Sequence, residues 1–207
     1  GTDGRHPSRA AAPSSGGSRE PHETQHIMRV LVTGSAGQVA QVFMRAHTTD
    51  PTSSLSFRAL DIVPTDGVED CIVGDISDEA TVVKAAEGCD AIVHLTHGGG
   101  NGAPWAQALK VDYVGTYNVF EAAVRNQCSR VVYASRAGVM SGFGENSPYA
   151  MDETRTVHMT PKPVGYYSVS KVFGESLGYM YATRESSQQP LPVPTAGMRP
   201  TVCLLLH

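Results

Sequence analysis

Tyr167-Ser168-Val169-Ser170-Lys171 is the stretch of this sequence whose residue types and spacing point most directly to chemistry. A tyrosine and a lysine at i and i+4 lie one turn apart on the same face of a helix. There an ammonium can sit beneath a phenol and favour its ionised form. A free phenol titrates near ~10 and is a poor base at neutral pH. A nearby cation lowers that value toward the range of a general acid–base catalyst. The pair alone recurs by chance on solvated helices, so its meaning depends on what precedes it.

The elements that must position the pair alternate from Met28 onward. Strands are expected at Met28–Thr33, Ser56–Asp61, Cys71–Val73, Ala91–Leu95 and Arg130–Ser135, with a sixth at Pro194–Arg199 and a final apolar run at Thr201–Leu206. Helices are expected at Gln38–His47, Asp78–Glu87, Pro104–Asn126 and Gly165–Arg184. In the first of these Val39, Val42, Phe43 and Ala46 are read as facing inward, and Ser77 or Asp78 caps the second. Strands separated by helices imply βαβ units and an α/β, doubly wound parallel sheet of the Rossmann type. Right-handed crossovers bring the loops after the strands to one edge. Every polar motif of interest falls in those loops or on the helices that begin there.

Thr33-Gly34-Ser35-Ala36-Gly37-Gln38-Val39-Ala40 follows the first strand and opens a helix. Glycines let backbone N–H groups approach a pyrophosphate, and a helix N-terminus favours its negative charge. Gly34, Ala36, Gly37, Gln38 and Val39 are therefore candidates for dinucleotide contact. An ordinary strand–turn–helix explains the same residues until later features are added. Asp61 ends the second strand, where a carboxylate can accept hydrogen bonds from an adenosine ribose. Its charge would repel a 2′-phosphate, so NAD is expected over NADP, with Ile62 beside it. Asp75 and Ile76 follow the third strand. Asp75 could meet an adenine amino group, or serve as a cap or turn residue. Leu95 and Thr96 end the fourth strand, where backbone would line the cofactor. His94 and His97 have HxxH spacing but leave a strand, so a core or loop-edge role is preferred to metal binding, and no metal is expected.

The chain has 207 residues, enough for one domain with a sizeable core. A net charge of −4 argues against a nucleic-acid partner. No apolar run reaches membrane-spanning length, so no membrane partner is expected. Cys71, Cys89, Cys128 and Cys203 are scattered without a CxxC pair, which suits reduced thiols and a cytoplasmic setting. Residues 1–26 are rich in Gly, Ser, Pro and Ala and are read as a disordered extension. Asp3, Glu20 and Glu23 argue against a transit peptide. The domain is placed at 27–207.

In order along the chain, the glycine loop, Asp61, Gly74-Asp75-Ile76, His94-Leu95, Gly115-Thr116-Tyr117-Asn118-Val119, Val132-Tyr133-Ala134-Ser135, Tyr167xxxLys171 and Arg199-Pro200 resemble the extended short-chain dehydrogenase/reductase family, the NAD-dependent epimerase/dehydratase group. The resemblance covers roughly residues 28–202. Within it, the run Tyr166–Tyr181 and Ala103-Pro104-Trp105 look like the uronate dehydrogenase branch, whose members oxidise C1 of a hexuronic acid with NAD. The resemblance implies that Tyr167 takes a proton from a sugar hydroxyl. Lys171 would lower the Tyr167 pKa and bind the nicotinamide ribose, so both residues would also touch the cofactor.

Three departures qualify what the resemblance implies. The family usually places Ser or Thr where this chain has Arg136, and a guanidinium cannot accept a hydrogen bond. Ser135 could shift into the catalytic role, or Arg136 could pair with a substrate carboxylate. Asn101, in the glycine-rich loop Thr96–Ala103, is the other substrate candidate. A family asparagine on the long helix is Asp112. Little sequence follows Arg199-Pro200, so a C-terminal substrate region is expected to be short or absent. Three functions stay open: an NAD-dependent oxidoreductase acting on a sugar or sugar acid, a nucleotide-sugar epimerase or dehydratase, and a non-catalytic NAD-binding protein. A homodimer through the two long helices is a further expectation from related folds.

Overall fold

The computed structural model of the chain describes Gly1 and residues 27–142, 160–183 and 201–205. The expectations for the segment before Ile27 and for a strand at Pro194–Arg199 lie outside the described residues. Six parallel strands form one sheet in the order β3-β2-β1-β4-β5-β6. They are β1 (Met28–Thr33), β2 (Leu55–Asp61), β3 (Cys71–Val73), β4 (Ala91–His94), β5 (Arg130–Ala134) and β6 (Thr201–Leu205). The final apolar run supplies β6, which pairs with β5, with Val132 opposite Cys203.

The strands are apolar because helices cover both faces. Side chains alternate across the sheet, so Leu31 packs to one side with Leu60, Ile92, Val131 and Tyr133. That layer closes against Val82 of α2 (Glu79–Ala86) and Val119 and Phe120 of α4 (Gly115–Arg125). Val30, Val32, Ala91 and Val93 point the other way, onto Ala40 and Met44 of α1 (Gln38–Thr48). The inward face expected for α1 is therefore corrected. Val42 and Ala46 are exposed, Val39 is also exposed, and the buried stripe is Ala40 and Met44 with Phe43 partly covered. Phe43 stays against the sheet through Phe57 and His47, with centroids 5.5 and 5.0 Å away. Asp78 caps α2 as expected, its carboxylate accepting from the Ala80 N–H at 3.2 Å.

The helix expected at Pro104–Asn126 runs unbroken from Trp105 to Arg125 but contains a π-helical turn. It comprises α3 (Trp105–Ala108), a π-helical turn at Leu109–Val114, and α4. Such turns insert a residue into the helix and commonly mark functional sites. Here the turn carries Asp112 into the interior. Gly115 lets the helix approach Ile76, since a Cβ there would lie 2.6 Å from Ile76 Cγ2.

The last helix, α5 (Tyr166–Thr183), lies close to the sheet because Gly174 meets the Tyr133 ring. A Cβ at Gly174 would fall 2.2 Å from Tyr133 Cζ. The Tyr133 hydroxyl donates to the Ser170 carbonyl at 3.3 Å. This close packing brings Lys171 over β5.

Candidate active site

β1 and β4 lie side by side where the strand order reverses, with Thr33 opposite His94. A crevice opens beyond their C-terminal ends, the place where open α/β sheets bind ligands. The cleft holds about 670 Å³, within the range of small-molecule sites.

Its floor is the glycine loop. Gly34 has φ +70°, and a Cβ there would lie 2.7 Å from the Thr96 backbone nitrogen. Only glycine lets the two loops approach so closely. Gly37 precedes α1 without any side-chain cap, so the first N–H groups of an eleven-residue helix are left to a ligand. Asp61 closes this end. Its carboxylate accepts from Ala36 N–H at 3.0 Å and from Ile62 N–H at 2.7 Å, which orients it at the cleft wall.

Gly34, Gly37, Gln38, Val39, Asp61, Ile62, Asp75, Ile76, Leu95 and Thr96 all line the cleft. Ala36 contributes the N–H that holds Asp61. The exposure of Val39 is thus exposure to the cleft. Asp75 combines both roles considered for it. It accepts from the Ser77 N–H and hydroxyl, as a turn residue does, and still faces the cleft. The Lys110 ammonium 2.6 Å away and the Ser77 hydrogen bonds pull its carboxyl down to about 2. Lys110, Gln107 and Val111 also line the cleft and were not anticipated. No local motif marks them, because they reach it only through the placement of α3 and the π turn. Asn101 falls in a 3₁₀ turn, Gly100–Gly102, and its side chain lies outside the described set.

Tyr167 and Lys171 stand past the far end of this cleft. His97, a lining residue, faces the Tyr167 ring at 5.4 Å between centroids. Lys171 is buried, with Nζ 4.8 Å from the Tyr133 ring and 5.2 Å from the Tyr167 ring. Burial depresses the ammonium to about 8, against an upward pull from Asp112. Burial also raises the half-buried Tyr167 hydroxyl, and the cation acting to lower it is Arg136, whose guanidinium carbon stands 4.8 Å over the ring. The expected lowering of the Tyr167 hydroxyl by Lys171 is thus corrected: burial leaves that hydroxyl above its ordinary value, and the cation that acts to lower it is Arg136.

Ser135 does not turn toward Tyr167. Its buried hydroxyl donates to Glu175 on α5, so the structure offers no support for its entering the tyrosine's chemistry. Asp112 is 3% exposed, and one oxygen accepts from Gly98 N–H at 2.7 Å. The other is buried with no hydrogen-bond partner, and burial raises this carboxyl.

His94 has a different solution. It is fully buried between two threonines, 2.6 Å from Thr33 Oγ1 and 3.1 Å from Thr116 Oγ1. Thr116 spends its proton on the Asp112 carbonyl at 2.7 Å. It must therefore accept from His94 Nε2–H, leaving Nδ1 to accept from Thr33. Burial lowers the imidazole to about 3, so it is a neutral structural residue, as the core reading of HxxH expected.

Residues 30–193 match the NAD dependent epimerase/dehydratase family. The chain is 36% identical over 168 residues to L-arabinose 1-dehydrogenase (NAD(P)(+)) of Haloferax volcanii, covering 76% of this chain and 63% of that protein. It is 35% identical to uronate dehydrogenase of Agrobacterium fabrum, covering 75% of this chain and 56% of the relative. Among solved structures, a mutant uronate dehydrogenase from Agrobacterium tumefaciens complexed with NAD superposes with a TM-score of 0.63 at 33% identity, over 76% of this chain and 57% of that one. The chain therefore spans less than two thirds of the length of these relatives. The glycine loop, Asp61, the π turn and the Tyr167/Lys171 helix all fall inside the matched segment, and the chain belongs to the NAD dependent epimerase/dehydratase family.

Proposed function

We propose that the chain is the dinucleotide-binding part of an NAD-dependent oxidoreductase that acts on a hydroxyl of a sugar or sugar acid. The observation that carries this reading is the junction of the two regions. A cleft with a glycine floor and an acidic end wall leads, through His97, to a half-buried tyrosine beside a buried lysine. Gly34 and the uncapped α1 N-terminus suit a pyrophosphate, and Asp61 suits the two hydroxyls of an unphosphorylated ribose. Bound NAD would supply the hydride acceptor.

The chain's own residues handle the proton. Tyr167 accepts it from the substrate hydroxyl. Arg136 holds positive charge over the ring as the phenolate forms, and Lys171 lies beside the same ring. Burial keeps the Tyr167 hydroxyl above its ordinary value, so phenolate is the minority form near neutrality and oxidation is expected to quicken as pH rises. Arg136 could also face a substrate carboxylate, which suits the similarity to uronate dehydrogenases. Among the described residues, Cys71, Cys89 and Cys128 are free thiols, which suits a reducing cytoplasm. Exposed Trp105, Leu109, Tyr117, Tyr166 and Val169 on the two long helical segments suit a homodimer, testable by sedimentation.

A second reading keeps the same pair for an epimerase or dehydratase, in line with 31% identity to dTDP-glucose 4,6-dehydratase of Streptomyces niveus. The test is a screen of aldoses and hexuronic acids for NADH formation, alongside calorimetric titration with NAD. NADH formation lost in Tyr167→Phe supports the first reading. Retained cofactor with no net NADH favours the second. NAD binding without any turnover would leave a binding protein.

A further inference from the structure

Arg136 leaves the end of β5 and turns over the helix that carries Tyr167. Its guanidinium carbon lies 4.8 Å from the Tyr167 ring centroid. It fills the space a side chain would need at Gly138, where a Cβ would sit 2.3 Å from Arg136 Nε and 2.6 Å from Cζ. Next to it, the hydroxyl of Ser135 is committed to Glu175. The end of β5 thus presents a seated cation to the tyrosine.

We propose that Arg136 is a positioning residue for Tyr167: held in the notch left by Gly138, it stabilises the phenolate by charge, in place of a hydroxyl that would do so by hydrogen bonding. The proposal rests on the reading of Tyr167 as the proton acceptor. A phenolate spreads its charge into the ring, so a cation over the ring favours it over the neutral phenol.

Among the described residues, the charged or titratable groups that face Tyr167 include Tyr133 of β5 and four others. Arg136 comes from the segment after β5, Lys171 from α5 itself, Asp112 from the π turn, and His97 from the loop after β4. Asp112 opposes ionisation, and Arg136 is the group that favours it. Lys171, brought down to about 8, loses its own charge as the pH approaches the range where a phenol ionises. A guanidinium keeps its charge throughout that range. Arg136 is therefore the cation still present when Tyr167 must give up its proton.

The test is a pH titration of the protein labelled with ¹³C at tyrosine Cζ, with the Tyr167 resonance assigned by its loss in Tyr167→Phe. Arg136→Met is expected to raise the Tyr167 midpoint by about one pH unit, and Arg136→Lys by less. Gly138→Ala should raise it as well, although both interacting side chains remain, because the new methyl displaces the guanidinium. Added to Arg136→Met, Gly138→Ala should have no further effect. The acid limb of kcat/KM should move with the NMR midpoint. An unchanged midpoint in Arg136→Met overturns the proposal, as does a shift in Gly138→Ala that persists without Arg136. So does a loss confined to a higher KM for acidic sugars, which would make Arg136 a ligand for the substrate anion. The midpoint is read without turnover, so it fails or survives separately from the assignment as an oxidoreductase.

Discussion

At the β1–α1 end of the cleft, the site is built largely from backbone. Gly34 makes room, the α1 N-terminus offers N–H groups, and the Asp61 carboxylate is tied down by two amides. At the α5 end it is built from side chains whose charges are incompletely paired. Lys171 and Asp112 are both buried, and one Asp112 oxygen has no partner. The first end suits a constant ligand, because backbone geometry changes little when surface residues vary. The second end stores the electrostatic tension that shifts proton affinities. His94 shows the alternative: a titratable group kept neutral by burial, with both ring nitrogens paired to hydroxyls.

The sharpest way to separate the two ends is Tyr167→Phe. It is expected to lower kcat by about 10²–10⁴ while leaving NAD affinity by calorimetry within a few-fold. Equal loss of binding and turnover would merge the two regions into one. The reverse substitution of function is Gly34→Val. It forces a β-branched residue to φ +70° against the Thr96 backbone. A strain of about 1–3 kcal/mol should weaken NAD by roughly ten- to a hundredfold and lower Tm. Unchanged affinity would mean that the floor is not the binding surface.

His94 provides a pH test of its own. Its folded value, about 3, lies below the ordinary 6.5. Between those values the unfolded chain binds a proton that the folded one does not. Stability is therefore present above about pH 6.5 and is lost as pH falls toward 3. Asp75 adds to the loss only below its ordinary 3.8. His94→Gln keeps a hydrogen-bonding group and should flatten Tm between pH 6.5 and 4 by several degrees. An unaltered slope would show that His94 is not the buried base responsible.

The smallest effect is expected for Asp112→Asn. Removing a charge that opposes Tyr167 ionisation and raises Lys171 should move the acid limb of kcat/KM down by less than about one pH unit. Stability should change by less than about 1 kcal/mol, since the partnerless oxygen is already unsatisfied. A shift to higher pH would reverse the sign assigned to Asp112.

Legibility followed the same division. The β1–α1 end was readable because its determinants are local: two glycines at a strand–helix junction, an acid at a strand end, a Gly-Asp-Ile turn. Of the eleven residues expected at this end, all but Ala36 line the cleft. Lys110 and Gln107 were not readable, since only the tertiary placement of α3 and the π turn brings both to the cleft and Lys110 to Asp75. The α1 face was misread because valine was taken as buried by hydrophobicity alone, whereas Val39 faces the cleft and Val42 is 70% exposed.

By itself, the sequence determined the parallel α/β sheet, the glycine loop and the pairing of Tyr167 with Lys171 on one helical face. Each depends on periodicity or on conformational freedom within a few residues. Only the tertiary structure decided which cation meets the tyrosine and which neighbours do not. Arg136 reaches Tyr167 because Gly174 seats α5 against Tyr133 and Gly138 leaves room for a guanidinium, while Ser135, one residue away, turns to Glu175. Charge coupling depends on distance through space, and spacing along the chain does not encode it across elements thirty residues apart.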